Sequence, residues 1–404
     1  MATPFRERAP DLDGHDPAAL AGAAGVAAAD VTFGDGPFVL DPVPRVISAA
    51  DWASLEAGLL QRVRALDAFC ADVYGARRIV RDGVVPARVV ETIDTLEPAL
   101  CGTSQDRWIG IAGLDLVRAP DGRFLVLEDN LRTPSGMAYA VAARVVSLML
   151  WQPEHPPVPV DGLRAMLRLA LGPGRAVVLT DGPSNAAYWE HQWLAELLEI
   201  PLAEVDGFDP AGVDVVYRRT DAWQLDSDVG RLLHGRVRVV NAYGVGVGDD
   251  KLAHAYVEDM VRYYLGEEPG LGSVRTYDLG RPEVAEEALD RIEELVVKPR
   301  AGYGGEGVVI CPHASRDDVE RTREAVRATP EDYIAQELVP LSEHATVVDG
   351  EVVMRHVDLR PFVFLGAGDE GAVYPGGLTR VALEEGALVV NSSQNGGAKD
   401  TWVL

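Results

Sequence analysis

Three scarcities bound the reading of this chain. Its 404 residues include only three cysteines, Cys70, Cys101 and Cys311, far apart and none in a CxxC pair. That spacing speaks against a disulfide framework or a cysteine zinc site, and fits a reducing cytoplasm. Basic residues are outnumbered, 37 Lys+Arg against 63 Asp+Glu, for a net charge of −26. A phosphate backbone is bound mainly through clustered basic surface, so this balance argues against nucleic acid, and against an anionic membrane face. Any anionic ligand needs a local cluster of positive groups. Long hydrophobic runs are also missing. MATPFRERAPDLDG has no apolar signal core, and the Ala/Gly-rich stretch 17–30 is too short and too weakly apolar to span a bilayer. That stretch reads as a loose leader or a small-residue helix, and residues 1–37 as a flexible leader. No fixed-period repeat stands out.

What is present is ordinary for a globular chain: 47% hydrophobic and 25% charged residues, enough for a large core. The length allows about two to four domains at roughly 100–200 residues each. Residues 51–75 carry apolar side chains near a 3.6 period and predict a helix behind Ser48. IGIAGLDLVRAPDGRFLVLEDN (109–130) predicts two strands joined at APDGR, and RTPSGMAYAVAARVVSLML a turn leading into an apolar helix. RAVVLTDGPSNAAYWEHQWLAELLEI (175–200) is one βα unit. VDVVYRR and RVRVVNA add strands, so this middle region predicts a small parallel α/β domain. Beyond it, EELVVKP, GEGVVI and DYIAQELV predict strands of a separate lobe, with a helix over 315–329.

Four constellations could carry chemistry. The first is Asp115, Glu128 and Asn130. Glu128 and Asn130 share a strand face because they are two residues apart. Asp115 joins them if the turn has two or four residues. With a three-residue Pro-Asp-Gly turn it does so only if a bulge intervenes. Three convergent oxygen ligands suit Mg²⁺; the alternative is a solvated hairpin edge. The second is VVKPRAGYGGEG, where Gly302, Gly304, Gly305 and Gly307 leave backbone N–H groups free to approach phosphates. It is neither a Walker A loop nor a GxGxxG turn into a helix, so it reads as a flap between strands, or as a plain glycine-rich hairpin. The third is lysine itself. Only Lys251, Lys298 and Lys399 occur among the 37 basic residues, each beside a candidate loop. Lysine is a compact point charge where arginine is a broad fork; codon bias is the alternative. The fourth is YWEHQW (188–193) at a helix entrance, where Glu190 could meet a ligand or serve the helix dipole alone.

Together these blocks resemble the ATP-grasp superfamily. The motifs are similar to those of D-alanine–D-alanine ligase, but in rotated order: GLDLVR and LEDNLRTPSG come first, then YWEHQW, GDDKLAHAYV, VVKPRAGYGGEG, YIAQELV and RHVDLRPF. That order resembles the circularly permuted ATP-grasp family, related to the ligase part of glutathionylspermidine synthase. The resemblance implies an α/β fold with α+β lobes and an inserted parallel pre-grasp-like domain. Its expected organisation is a metal-binding part of the large lobe over 38–160, the parallel domain over 161–250, a small lobe with the flap over 251–345, and a return to the large lobe over 346–404.

The resemblance also implies residue roles. Lys251 and Lys298 would contact ATP phosphates under the flap of Gly302, Gly304, Gly305 and Gly307. Gln336, Glu337 and Leu338 would line the adenine edge, and Asp115, Glu128 and Asn130 would hold Mg²⁺. Lys298, Arg360 and Arg132 would be catalytic. Ser135, Gly136, Glu190, Arg218 and Lys399 would lie on the substrate side. The implied activity is an ATP- and Mg²⁺-dependent carboxylate–amine ligase acting on small-molecule or peptide substrates through an acyl phosphate, beside a helical partner protein. A kinase, a carboxylate–thiol ligase or a non-catalytic nucleotide-binding partner are the alternatives. Thr220 and Asn395 depart from the family's pattern, and both fall in acceptor-side loops.

Overall fold

In a computed structural model, residues 3–151, 153, 157, 160–302, 307–387 and 396–404 are described. The 26-residue helix Ala49–Tyr74 begins where Ser48 accepts a hydrogen bond from the Asp51 N–H at 3.1 Å. Leu55, Leu59, Val63, Leu66, Phe69 and Val73 form its buried stripe, at the spacing that one helix face requires. This stripe packs on strands Phe362–Leu365 and Gly371–Val373.

Those strands complete a five-stranded sheet. Its order is Gly272–Ser273, Phe124–Asn130, Ile111–Arg118, Phe362–Leu365, Gly371–Val373. Adjacent strands thus come from sequence regions about 250 residues apart, which is how the chain returns to its large lobe after building two other units. One unit is an all-parallel sheet, Leu202–Glu204, Ala176–Thr180, Val215–Arg219, Arg238–Val240. The other is an antiparallel sheet, Thr276–Asp278, Tyr333–Glu337, Leu295–Pro299, Val309–Ile310. The antiparallel unit has its own core, in which Tyr277, Leu295, Val297 and Ala335 meet Ala288, Val319 and Val326 of helices Pro282–Asp290 and Arg316–Ala328. A further sheet joins Ser342–Val348, Glu351–Val357, Thr379–Val381 and Gly397–Lys399.

Buried Asn241 ties the parallel sheet to the large lobe. Its Oδ1 accepts from the N–H groups of Gly110 and Ile111, each at 2.8 Å, and its Nδ2 donates to the carbonyls of Ile111 and Leu131. Each polar atom of the side chain is thereby satisfied, as burial demands.

Of the two readings of the Ala/Gly-rich stretch, the small-residue helix is the one observed, and the flexible leader expected over residues 1–37 is corrected over 3–37. Pro17–Ala27 is a helix, with Asp16 accepting from the Ala18 N–H and Ala24 fully buried. It packs against helix Met137–Leu150. Ahead of it, Glu7 is buried and paired with Arg45 at 2.5 Å and Arg118 at 3.2 Å. Small side chains hid the packing face from the sequence, because alanine and glycine make no visible apolar stripe. Among the described residues no helix is long and apolar enough to cross a membrane.

Candidate functional site

The hairpin of Ile111–Arg118 and Phe124–Asn130 takes the third of the three turn geometries. Ala119 and Arg123 pair around Pro120-Asp121-Gly122, with the Ala119 N–H on the Arg123 carbonyl at 2.8 Å. Gly122 sits at φ +87°, where a side chain would be strained. Arg118 faces Phe124 and Leu116 faces Val126, but Asp115 faces Glu128. Leu127 is therefore the extra residue of a bulge. It shifts the register by one and brings Asp115 opposite Glu128, with Asn130 opposite Gly113.

The two carboxylates have different surroundings. Asp115 is buried. Arg360 donates to its Oδ1 at 2.6 Å and its Oδ2 at 2.9 Å, and Arg380 donates to Oδ2 at 2.8 Å. Burial alone would raise its pKa, but the two guanidinium groups outweigh that and hold it down at about 2. Arg380 also binds Asp358, whose pKa burial pushes up. Glu128 has no hydrogen bond or ion pair to any described residue. The Asn130 Nδ2 is buried without a partner.

A carboxylate has about four lone-pair positions, so Asp115 Oδ1 keeps one. Glu128, the Asn130 amide and that lone pair are hard oxygen donors of the kind Mg²⁺ takes when it shares substrate phosphates, and the residues present fit that ion. Among the described residues no cluster of three or more His, Cys, Asp or Glu side chains could hold a metal ion. Only two carboxylates belong to this set.

Glu128 opens into a cleft of about 270 Å³ between the large lobe and the antiparallel unit, also lined by Asp249, Lys251, His254, Lys298 and Gln336. Strand alternation explains the lysine. Lys298 pairs with Ile334 and Val296 with Gln336, so Lys298 and Gln336 share the cleft face while Val297 and Ala335 point into the unit's core. Lys298 has no hydrogen bond or ion pair to any described residue. Burial lowers its pKa, and Glu128 pulls in the opposite direction.

Lys251 Nζ donates to the Gly302 carbonyl at 2.5 Å and the Arg300 carbonyl at 3.3 Å, tethering the start of the glycine loop. Arg300 is clamped by Asp250 at 2.9 Å. Gly302 and Gly307 have φ +99° and +71°; Gly304 and Gly305 lie outside the described residues. Gln336 Nε2 donates to Thr276 Oγ1 at 2.9 Å, leaving its Oε1 buried without a partner. The Glu337 carboxylate is occupied by Tyr277 and Arg291, which outweigh burial and lower its pKa. Only its backbone can face the cleft mouth, beside half-buried Leu338.

On the far side, Arg132 pairs with Asp249 at 2.9 Å. Gly136 begins helix Met137–Leu150 at φ +124°, and a Cβ there would crowd Phe362 and Leu378. Ser135 Oγ accepts from Arg219 at 2.5 Å.

Two expectations are corrected here. Glu190 does not face a substrate. It is fully buried, and its Oε2 accepts from the Gly136 N–H at 2.8 Å and the Ala138 N–H at 3.0 Å. Arg219 donates to its Oε1 at 2.9 Å. It caps the helix behind the 134–136 loop, where a carboxylate satisfies otherwise unpaired N–H groups. Lys399 is likewise fully buried, donating to Asp41 at 2.7 Å, the Ala345 carbonyl at 2.7 Å and Thr346 Oγ1 at 3.0 Å. Its three ammonium hydrogens are spent inside the protein.

Sequence reasoning missed Arg380, Asp249, Asp129 and His254. Asp129 points to the face opposite Glu128 and binds Arg62 and His254 Nδ1, each at 2.7 Å. His254 Nε2 is buried without a partner. Three of the four stand inside quoted blocks, GDDKLAH and LEDN, and their charge was the available signal. Arg380 stands in PGGLTRVAL and needed the fold to bring it to Asp115.

Comparison with known proteins agrees with this architecture. The sequence profile described as circularly permuted ATP-grasp type 2 matches residues 44–382. A Frankia casuarinae protein named "Putative glutamate--cysteine ligase 2-2" is 45% identical over 91% of this chain and 47% of its own length. An uncharacterized protein of Synechocystis sp. is 43% identical over 91% of this chain and 84% of its own. The chain thus spans about half the length of the Frankia relative. In the solved structure of a glutathione synthetase-like effector from Globodera pallida, in its apoform, the fold matches with a TM-score of 0.64 at 12% identity, over 98% of this chain and 99% of that one. The chain belongs to the circularly permuted ATP-grasp type 2 family.

Proposed function

We propose that the chain is an ATP- and Mg²⁺-dependent carboxylate–amine ligase that forms an amide through an acyl phosphate. One observation carries the reading. A half-buried lysine, Lys298, and a half-buried carboxylate, Glu128, line one cleft, and neither side chain makes a hydrogen bond or a close ion pair with another described residue. The two charges act on each other across the cleft but form no direct pair; sheltering them so is costly, and a triphosphate with its metal offsets that cost.

On this reading Lys298 meets the phosphates as a point charge, and Lys251 positions the loop of Gly302 and Gly307 over them. Gln336 and the backbone of Glu337 and Leu338 lie along the adenine edge. Magnesium, held by Glu128, Asn130 and the remaining lone pair of Asp115, would neutralise triphosphate charge. Arg360, fixed by its fork on Asp115, and Arg132 orient the acyl donor beside Ser135 and Gly136. A carboxylate oxygen of the donor attacks the γ-phosphorus and ADP leaves. Lys298 and Arg360 spread the charge that develops. The amine then attacks the acyl carbon, phosphate departs, and the nitrogen loses its proton. The loop excludes water, so the acyl phosphate is not hydrolysed.

The name of the Frankia relative, "Putative glutamate--cysteine ligase 2-2", supports amide formation. The substrates are a small-molecule or peptide carboxylate and an amine, the setting is cytoplasmic, and a helical protein acts as partner. Incubation with ATP, Mg²⁺ and cell extract, followed by mass spectrometry, tests this. A condensation product lighter than its two parents by one water is expected, and is lost in Lys298→Ala and Glu128→Ala. A stable phosphorylated carboxylate or a thioester in its place would contradict the reading.

A further inference from the structure

Behind Arg132 lies a second, partly open pocket, lined among others by Thr95, Glu97, Arg132, Arg218 and Trp223. Arg218 and Arg219 are consecutive on strand Val215–Arg219, so they point to opposite faces. Arg219 is neutralised by Glu190 at 2.9 Å. Arg218 is not. It is 1% exposed, stacks on Tyr243 at 4.8 Å and donates once, to the Ala222 carbonyl at 3.2 Å. Its Nε is buried without a partner, and the carboxylate that acts on it, Asp181, does so from beyond ion-pairing distance. A buried guanidinium without a directly paired carboxylate is costly to keep, and this one borders a pocket.

The cavity is not uniformly basic. Arg132, 4.6 Å from the Trp223 ring, is already paired with Asp249. Glu97 accepts from the Leu225 N–H through Oε1 at 2.8 Å, leaving Oε2 without a bond. A phosphate dianion would meet Glu97 as a repulsive neighbour. A zwitterion meets both groups favourably. We propose that this cavity receives the α-amino-acid head group of a substrate, its carboxylate at Arg218, its ammonium at Glu97 and its aliphatic part against Trp223. The wall between the two cavities is the Arg132–Asp249 pair, since Asp249 lines the cleft and Arg132 the second cavity. A substrate seated this way presents its side chain, not its α groups, toward Lys298 and Glu128. The inference rests on the ligase reading and names the substrate class for it.

The test is saturation-transfer NMR on the full chain with AMP-PNP and Mg²⁺, scanning the proteinogenic L-amino acids. At least one should give transfer. Its α-amide and its N-acetyl form should each bind about tenfold more weakly, the scale of one lost charge-assisted contact. Arg218→Gln should weaken binding by about the same factor. So should Gln224→Glu, which adds an internal counter-ion at an exposed lining position. Arg218→Lys should restore part of it. AMP-PNP affinity, read in parallel, reports that each variant is folded. If AMP-PNP binds but no amino acid does, or the α-amide binds as well as the acid, or both variants bind like wild type, the inference is wrong and the ligase reading survives. If AMP-PNP itself fails to bind, the ligase reading falls, and this inference with it.

Discussion

Asp115 and Arg360, 245 residues apart, are joined by two parallel hydrogen bonds, at 2.6 Å and 2.9 Å. A fork of this kind fixes orientation as well as charge. It holds Arg360 against the 134–136 loop, where its Nη1 also reaches the Ser135 carbonyl at 3.2 Å. Arg360→Gln should cost about 1.5–3 kcal/mol of stability, the scale of lost hydrogen bonds to a charged group, because Arg380 still neutralises Asp115. Arg360→Lys should recover part of the stability but little of the activity, because a point charge does not reproduce the fork. Chemical denaturation and ADP release, measured on both variants, separate the two effects.

Lys298 should tolerate neither loss nor enlargement. Lys298→Ala removes the charge, and Lys298→Arg brings a wider, forked group to the wall beside Glu128 and Gln336. Both should lower AMP-PNP·Mg²⁺ affinity, by about 10- to 100-fold on the scale of a charge-assisted contact to phosphate. Isothermal titration calorimetry measures this directly. An arginine variant that binds like wild type would remove the steric part of the argument.

Lys399 predicts the reverse pattern. Lys399→Met leaves Asp41 without its counter-charge and should destabilise the fold by about 3–5 kcal/mol. Asp41 would keep the Val43 N–H at 3.0 Å and the Val347 N–H at 2.7 Å, which soften the loss. AMP-PNP affinity in the folded fraction should be unchanged. A variant of normal stability and lost affinity would return Lys399 to the substrate side.

Three buried histidines set an acid limit. Burial lowers the pKa of His254, takes that of His344 well below the usual range, and holds that of His191 at about 2. The unfolded chain takes up these protons below about pH 6.5, ahead of the folded chain. The stability they contribute is therefore present above that pH and lost as pH falls, at about 1.4 kcal/mol per pH unit each for His191 and His344; His254, which Asp129 favours in the charged form, adds in the same direction. Urea denaturation between about pH 6.5 and 5, above the carboxylate range, should show this slope. His191→Gln should reduce it by close to one proton; an unchanged slope would show that His191 titrates normally in the fold.

The hairpin shows what the sequence could and could not yield. The two-residue spacing of Glu128 and Asn130 was readable because alternation is a property of any strand. The position of Asp115 was not, because a bulge at Leu127 leaves no mark in residue identity. Glu190 and Lys399 were misread for a related reason. Each charge stood out in the sequence, but nothing local shows that its partners, Gly136 and Arg219 for one, Asp41 and Thr346 for the other, come from distant segments and bury it. Arg218 and Arg219 read alike as letters. Only the fold shows that one has a counter-ion and the other faces a cavity. The order of the blocks was legible from end to end, because permutation moves motifs without altering them.

Oxygen-18 transfer tests the central claim most directly. A pool of carboxylates labelled in the carboxyl oxygens, mixed with amines, ATP and Mg²⁺, is turned over by the protein, and the released phosphate is analysed by mass spectrometry. If an acyl phosphate forms, the phosphate carries one labelled oxygen taken from the carboxylate, and Lys298→Ala abolishes both label and product. Amide product accompanied by unlabelled phosphate would contradict the account.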